Sequence, residues 1–132
     1  MRVEAKKNIN KSKSEVLAEI RKSGNLENYH PFCAENKTDK WPGIGSIDYV
    51  KYLNGLKYRR EFIKWDDTGY VLNIGVKKEL AQVQWLVEGN DNSSSLSKVF
   101  QGLRDAFWRL FGNMLRHLGA MLGYVARFAV LG

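Results

Sequence analysis

Hydrophobic positions alternate weakly along residues 1–9, where Val3, Ala5 and Ile9 mark one face and predict a first strand. The period then changes. Ser12, followed three residues later by Glu15, forms a capping-box signature. Val16, Leu17 and Ile20 recur behind it at helical spacing, and Gly24 stands where a C-cap is expected. An amphipathic helix of about 11 or 12 residues is predicted. "NLENYHPFC" reads as a second short helical turn closed by Pro31. From Trp41 onward the period is two. Residues 58–65 set Tyr58, Arg60, Phe62 and Lys64 against Arg59, Glu61, Ile63 and Trp65. "DDTG" at 66–69 is a hairpin signal. Tyr70, Leu72, Ile74 and Val76 continue the alternation, a "KKE" corner follows, and Ala81, Val83, Trp85 and Val87 alternate most cleanly of all. Residues 89–95 are a polar loop. After Leu96 the apolar spacing becomes three-or-four through Phe100, Leu103, Phe107, Leu110 and Met114 to Phe128, predicting helix over 96–131. Gly102, Gly112, Gly119 and Gly123 lie inside that stripe, each costing about 1 kcal/mol of helix stability against alanine.

Strand, two short helices, an antiparallel run of strands and a long helix define an α+β chain. Alternating strands have one face to bury, and the long C-terminal helix is the element able to cover it. At 132 residues the whole chain, 1–132, reads as a single domain.

The pair Gly43 and Gly45 in "WPGIGSIDYVKYLNG" resembles the punctuation of a phosphate loop. Such a loop leaves a strand and enters a helix, whose free N–H groups face the anion. Here Ile47, Tyr49, Val50 and Tyr52 follow, which is strand composition, and no Lys-Ser or Lys-Thr closes the loop. The glycines read as a bend that delivers a strand into a sheet.

Composition adds charge and compartment. The formal net charge is +7. Residues 1–95 hold 16 Lys and Arg against 13 Asp and Glu, and residues 96–132 hold five Arg and Lys against Asp105 alone. The C-terminal quarter therefore carries +4 of the +7, which favours an anionic surface as its partner. The single cysteine, Cys33, excludes an internal disulfide framework and suits a reducing compartment, so a cytoplasmic location is expected. No apolar run follows the basic start, as a secretion signal requires. Charge-free stretches near the C-terminus are broken by Arg116 and Arg127, short of a bilayer span.

"YHPFC", "WPGIGSIDYVKYLNG", "YRREFIKW", "GYVLNIG" and "AQVQWLVEG" occur in an order that resembles the START-related SRPBCC superfamily, nearest its polyketide cyclase/dehydrase and lipid-transport group. The likeness covers about residues 1–95. It implies the helix-grip fold, a curved antiparallel sheet wrapped around a long C-terminal helix with an apolar cavity between them. Members of the family usually place one more strand before the last helix. Residues 96–132, read as an atypical helical segment, depart from that pattern.

Candidate chemistry is sparse. His30 and Cys33 lie three apart, but His117 is the one other histidine, so a four-ligand metal site would need scattered carboxylates. A buried turn histidine and a small apolar cysteine is the better reading. No metal and no cofactor are expected. Trp41, Trp65, Trp85, Tyr49, Tyr52 and Tyr70 read either as strand core or as cavity lining, in which an aromatic body meets an apolar ligand and its polar tip orients it. By parity Arg59 and Glu61 share a side with Ile63 and Trp65, and Arg60 takes the other. If the side of Trp65 is concave, a charged pair lies in the cavity; otherwise the pair is a surface couple. The expected ligand-binding set is Tyr49, Arg59, Glu61, Trp65, Tyr70 and Trp85.

The resemblance implies a carrier that buries a lipid, isoprenoid or polyketide-like molecule. An aromatase or cyclase is the alternative, with Glu61, Arg59, Tyr49 or His30 as its acid or base. Nucleic acid is not expected as a partner, because the aromatics are interleaved with apolar rather than basic residues. A basic amphipathic helix at 96–131 fits peripheral contact with an anionic membrane.

Overall fold

Ser12 Oγ accepts the Glu15 N–H at 3.2 Å and donates to the Glu15 carboxylate at 3.0 Å, so the expected N-cap is formed. The computed structural model describes residues 2–30 and 33–102. In chain order these are β1 (Arg2–Ile9), α1 (Lys13–Ile20), α2 (Leu26–Tyr29), β2 (Cys33–Lys40), β3 (Ile47–Tyr52), β4 (Lys57–Asp66), β5 (Gly69–Gly75), β6 (Glu79–Gly89) and β7 (Ser94–Gly102). All seven strands join one antiparallel sheet in the order β1-β7-β6-β5-β4-β3-β2. Thus β1 and β2 are opposite edges, yet only the two short helices connect them. α1 packs on β6 and β7, and α2 packs on β2. A flat sheet of seven strands would hold its edges about 29 Å apart. The sheet is instead curved, and the helices close one end of its inner face.

α1 is eight residues long, shorter than its periodicity predicted, because the chain turns at Arg21 rather than Gly24. Arg21 then ties the helix to the β4–β5 hairpin. Its guanidinium donates to the carbonyls of Asp66 and Gly69 and lies 4.9 Å from the Trp65 ring centre. The hairpin turn falls at 66–69, as its Asp and Gly content predicted. Gly69 is required there: at φ +145° an added Cβ would stand 1.9 Å from the Trp85 carbonyl oxygen.

The glycine pair is a bend. Gly43 and Gly45 have φ of +100° and +87°, and the Gly45 N–H donates to the Phe62 carbonyl at 2.9 Å. That amide is spent on β4, and the chain enters a strand.

Two elements correct the sequence reading. β2 was not expected, since Cys33–Lys40 shows no apolar alternation; as an edge strand it hydrogen-bonds to β3 alone and buries only Asn36. Residues Leu96–Gly102 were expected to begin a helix and instead form most of β7, paired on one side with β1 and on the other with β6. This is the further strand that the resemblance called for. The rest of the predicted helix, with its basic face and membrane contact, lies in 103–132, outside the described residues. Among the described residues no helix is long and apolar enough to cross a membrane.

Candidate functional site

The inner face is built from alternate residues of five successive strands. β3 contributes Asp48 and Val50, β4 Tyr58, Arg60 and Phe62, β5 Tyr70, Leu72 and Ile74, β6 Ala81, Val83, Trp85 and Val87, and β7 Leu96, Lys98 and Phe100; all are buried. It is an apolar, aromatic surface interrupted by three charges.

Two of those charges neutralise each other. Asp48 and Arg60 are direct cross-strand partners, and the guanidinium binds the carboxylate through two hydrogen bonds, Nε to Oδ1 at 2.7 Å and Nη2 to Oδ2 at 2.6 Å. Asn36 donates to the same carboxylate at 3.0 Å and accepts the Leu26 N–H at 3.3 Å, linking the pair to α2. Burial alone would lower the Arg60 guanidinium, but the charge and hydrogen bonds of Asp48 outweigh it and the net shift is upward.

The third charge is Lys98. Its ammonium lies 4.8 Å from the centre of the Trp85 ring. Burial, with a smaller contribution from the like charge of Arg60, lowers its pKa to about 7. Burial thus favours the neutral amine at Lys98. Sequence reasoning missed it, although its place opposite Trp85 in the β6–β7 register follows once β7 is seen as a strand.

The aromatic residues form a connected cluster. Trp65 stacks on Tyr70 with ring centres 5.5 Å apart, and Trp41 meets Phe62 and Trp65 edge-on at 5.1 and 5.2 Å. Tyr70 reaches Trp85 at 6.3 Å and donates its hydroxyl to the Ile20 carbonyl. Burial raises the hydroxyl pKa of Tyr70 and of Tyr52 well above the ordinary tyrosine value.

Of the six expected site residues, the structure brings Trp65, Tyr70 and Trp85 together on the inner face. It places Tyr49, Arg59 and Glu61 on the outer one. Arg59 and Glu61 pair at 3.1 Å with both side chains about two-fifths exposed, beside a shallow cleft of about 70 Å³ that also meets Lys77 and Lys78. The physical cause of this correction is a β-bulge. Phe62 pairs with Leu72 but Lys64 pairs with Val71, so Ile63 is an extra residue and the parity of the strand inverts beyond it. Trp65 consequently faces inward while Arg59 and Glu61 face outward.

His30 is buried with its ring edge-on to Tyr52 at 5.1 Å. Cys33 is half-buried, and burial raises its thiol to about 11, away from a reactive thiolate. Among the described residues no group of three or more His, Cys, Asp or Glu could hold a metal ion.

Beneath the α1–α2 turn the sheet leaves a small, partly open chamber of about 10 Å³, walled by Ile20, Asn36, Asp48, Arg60, Tyr70 and Trp85 among others. That is space for one water-sized atom.

No protein-family model matches the chain, and no curated protein matches it. Solved structures do. The protein MLL2253 from Mesorhizobium loti superposes with a TM-score of 0.77 at 12% identity, covering 96% of this chain and 95% of that one. Norcoclaurine synthase of Thalictrum flavum, solved with a transition-state analogue, gives 0.74 at 11% identity over 98% and 94% of the two chains. The di-domain ARO/CYC protein BexL of the BE-7585A biosynthetic pathway gives 0.69 at 9% identity, covering 98% of this chain and 50% of its own. The chain has the fold of the START-related SRPBCC superfamily.

Proposed function

We propose that this protein binds a hydrophobic small molecule, of lipid, isoprenoid or polyketide-like character, against the inner face of its sheet. The observation that carries the reading is the inner face itself, where Phe62, Trp65, Tyr70, Leu72, Val83 and Trp85 form a continuous aromatic and aliphatic surface. Burial of apolar ligand surface there contributes about 25 cal/mol for each Å² removed from water. The Asp48–Arg60 pair is already satisfied by its own partners and leaves the binding term to the apolar groups. The fold shared with an enzyme solved around a transition-state analogue supports the same reading. Native mass spectrometry of the purified protein should show a co-purifying apolar compound, and an apolar fluorophore should be taken up with a blue-shifted emission. Absence of both would end this reading.

A second reading, a cyclase or aromatase, is favoured by one observation, the placement of the Lys98 amine in the buried inner face beside the Trp85 ring, where burial lowers its pKa to about 7. A general acid or base works best with a pKa near the operating pH. The fold shared with BexL accords with it. In this reading Lys98 replaces Glu61, Arg59 and Tyr49, which lie on the opposite face. Turnover of a polyketide-like substrate that survives Lys98→Met unchanged would remove Lys98 from any catalytic role.

A further inference from the structure

The inner face is closed to new hydrogen bonds at almost every polar position that surrounds the chamber under the α1–α2 turn. Asp48 receives both arms of Arg60 and the amide of Asn36. The Asn36 amide also reaches the Tyr49 carbonyl, and its side-chain oxygen holds the Leu26 N–H. The Tyr70 hydroxyl is donated to Ile20. Trp85 is the exception. The residue is 3% exposed, it forms part of the chamber's wall, and its Nε1–H has no acceptor among the described residues.

A buried donor without an acceptor is costly, and native proteins satisfy such groups with water or a ligand. The Lys98 ammonium over the face of the Trp85 ring increases the cost, because a cation there draws electron density from the indole and leaves its N–H more positive. The chamber offers about 10 Å³ beside that indole. This admits a single oxygen atom and excludes a tetrahedral phosphate.

We infer that Trp85 Nε1–H is the polar anchor of the binding face, and that the ligand carries a carbonyl or hydroxyl oxygen that accepts from it. This rests on the ligand-binding reading and narrows it: the occupant is an oxygenated apolar molecule rather than a hydrocarbon. An ordered water is the competing source of the same oxygen.

Decane, decanol and decanone, which share one chain length, separate these cases. Each is titrated against the full chain by displacement of a bound apolar fluorophore, with the wild type and Trp85→Phe, which keeps an aromatic ring and removes the N–H. One hydrogen bond of ordinary net strength corresponds to a change of about tenfold in affinity. Decanol and decanone should bind more tightly than decane, and Trp85→Phe should weaken those two about tenfold more than it weakens decane. Equal weakening of all three probes, or of none, overturns the inference while leaving the ligand-binding reading intact. Failure of every probe and of the fluorophore to bind overturns that reading and this inference with it. Should Trp85→Phe not fold, the indole N–H resonance of Trp85 in wild-type protein decides. It should move downfield with decanol and decanone and not with decane; a position indifferent to all bound probes identifies a resident water and overturns the inference.

Discussion

Arg59 and Arg60 are neighbours in β4, and each pairs with a carboxylate, yet the two pairs live under opposite physics. Arg60 and Asp48 are joined by two short hydrogen bonds, with side chains 9% and 1% exposed. Arg59 and Glu61 lie on the other face in contact with solvent. Water screens the outer pair and competes for its hydrogen bonds, so it contributes little. The inner pair has given up its hydration and depends on its own geometry. Charge content alone says nothing of this difference; the face does.

The largest effect should follow from breaking the inner pair. Arg60→Met leaves the Asp48 carboxylate buried without its cation and should destabilise the fold by about 3–5 kcal/mol in urea unfolding. Replacing both partners together, as Asp48→Leu with Arg60→Met, should recover most of that loss. If the single and double variants are equally unstable, the pair is held by more than mutual compensation.

Lys98 sharpens the contrast through pH. Its folded pKa, about 7, lies below that of the unfolded chain, so between the two values the unfolded state binds more protons. The stability contributed by Lys98 should therefore rise with pH from about 7 toward the unfolded lysine value near 10.5, by at most about 1.4 kcal/mol per pH unit. From about 9 upward other groups oppose this rise. Burial raises the pKa of Cys33 to about 11 and raises those of Tyr52 and Tyr70, and groups with raised values lose their stabilising contribution as pH climbs through the folded pKa. Lys98→Met should flatten the rise between 7 and 9. A slope unchanged in that variant would assign the titration elsewhere.

Trp65 tests the bulge. A half-buried aromatic with contacts to Trp41, Phe62, Tyr70 and Arg21 should cost about 2 kcal/mol on truncation to alanine, less than the ~3–5 of a fully buried one. A loss below about 0.5 kcal/mol, typical of surface positions, would contradict its inward placement. The smallest effect belongs to the outer pair. Arg59→Ala should shift stability by less than about 1 kcal/mol, and high salt should reduce even that.

Much of the fold was legible because its causes are local. The Ser12–Glu15 cap, the 66–69 turn and the bend at Gly43 and Gly45 depend on side chains within a few residues of one another. The alternation of β5 and β6 was equally plain, since strands with one buried face must show it. The candidate site was half legible. Tyr70 and Trp85 follow from alternation, whereas the inward side of Trp65, which parity ties to Arg59 and Glu61, depends on the bulge at Ile63.

What the amino-acid order determined by itself was therefore the local currency of the fold: caps, turns, the strand period and which side chains were aromatic. Tertiary structure decided the rest. β2, whose sequence is polar, is a strand because β3 offers it a hydrogen-bonded edge. Leu96–Gly102 is a strand because β1 and β6 satisfy its backbone on both sides, a gain that outweighs an apolar spacing fit for a helix. The single inserted residue at Ile63, visible only in the pairing of β4 with β5, set which of two neighbouring arginines would be buried with Trp65. Register is a property of two strands together, so one strand read alone does not contain it.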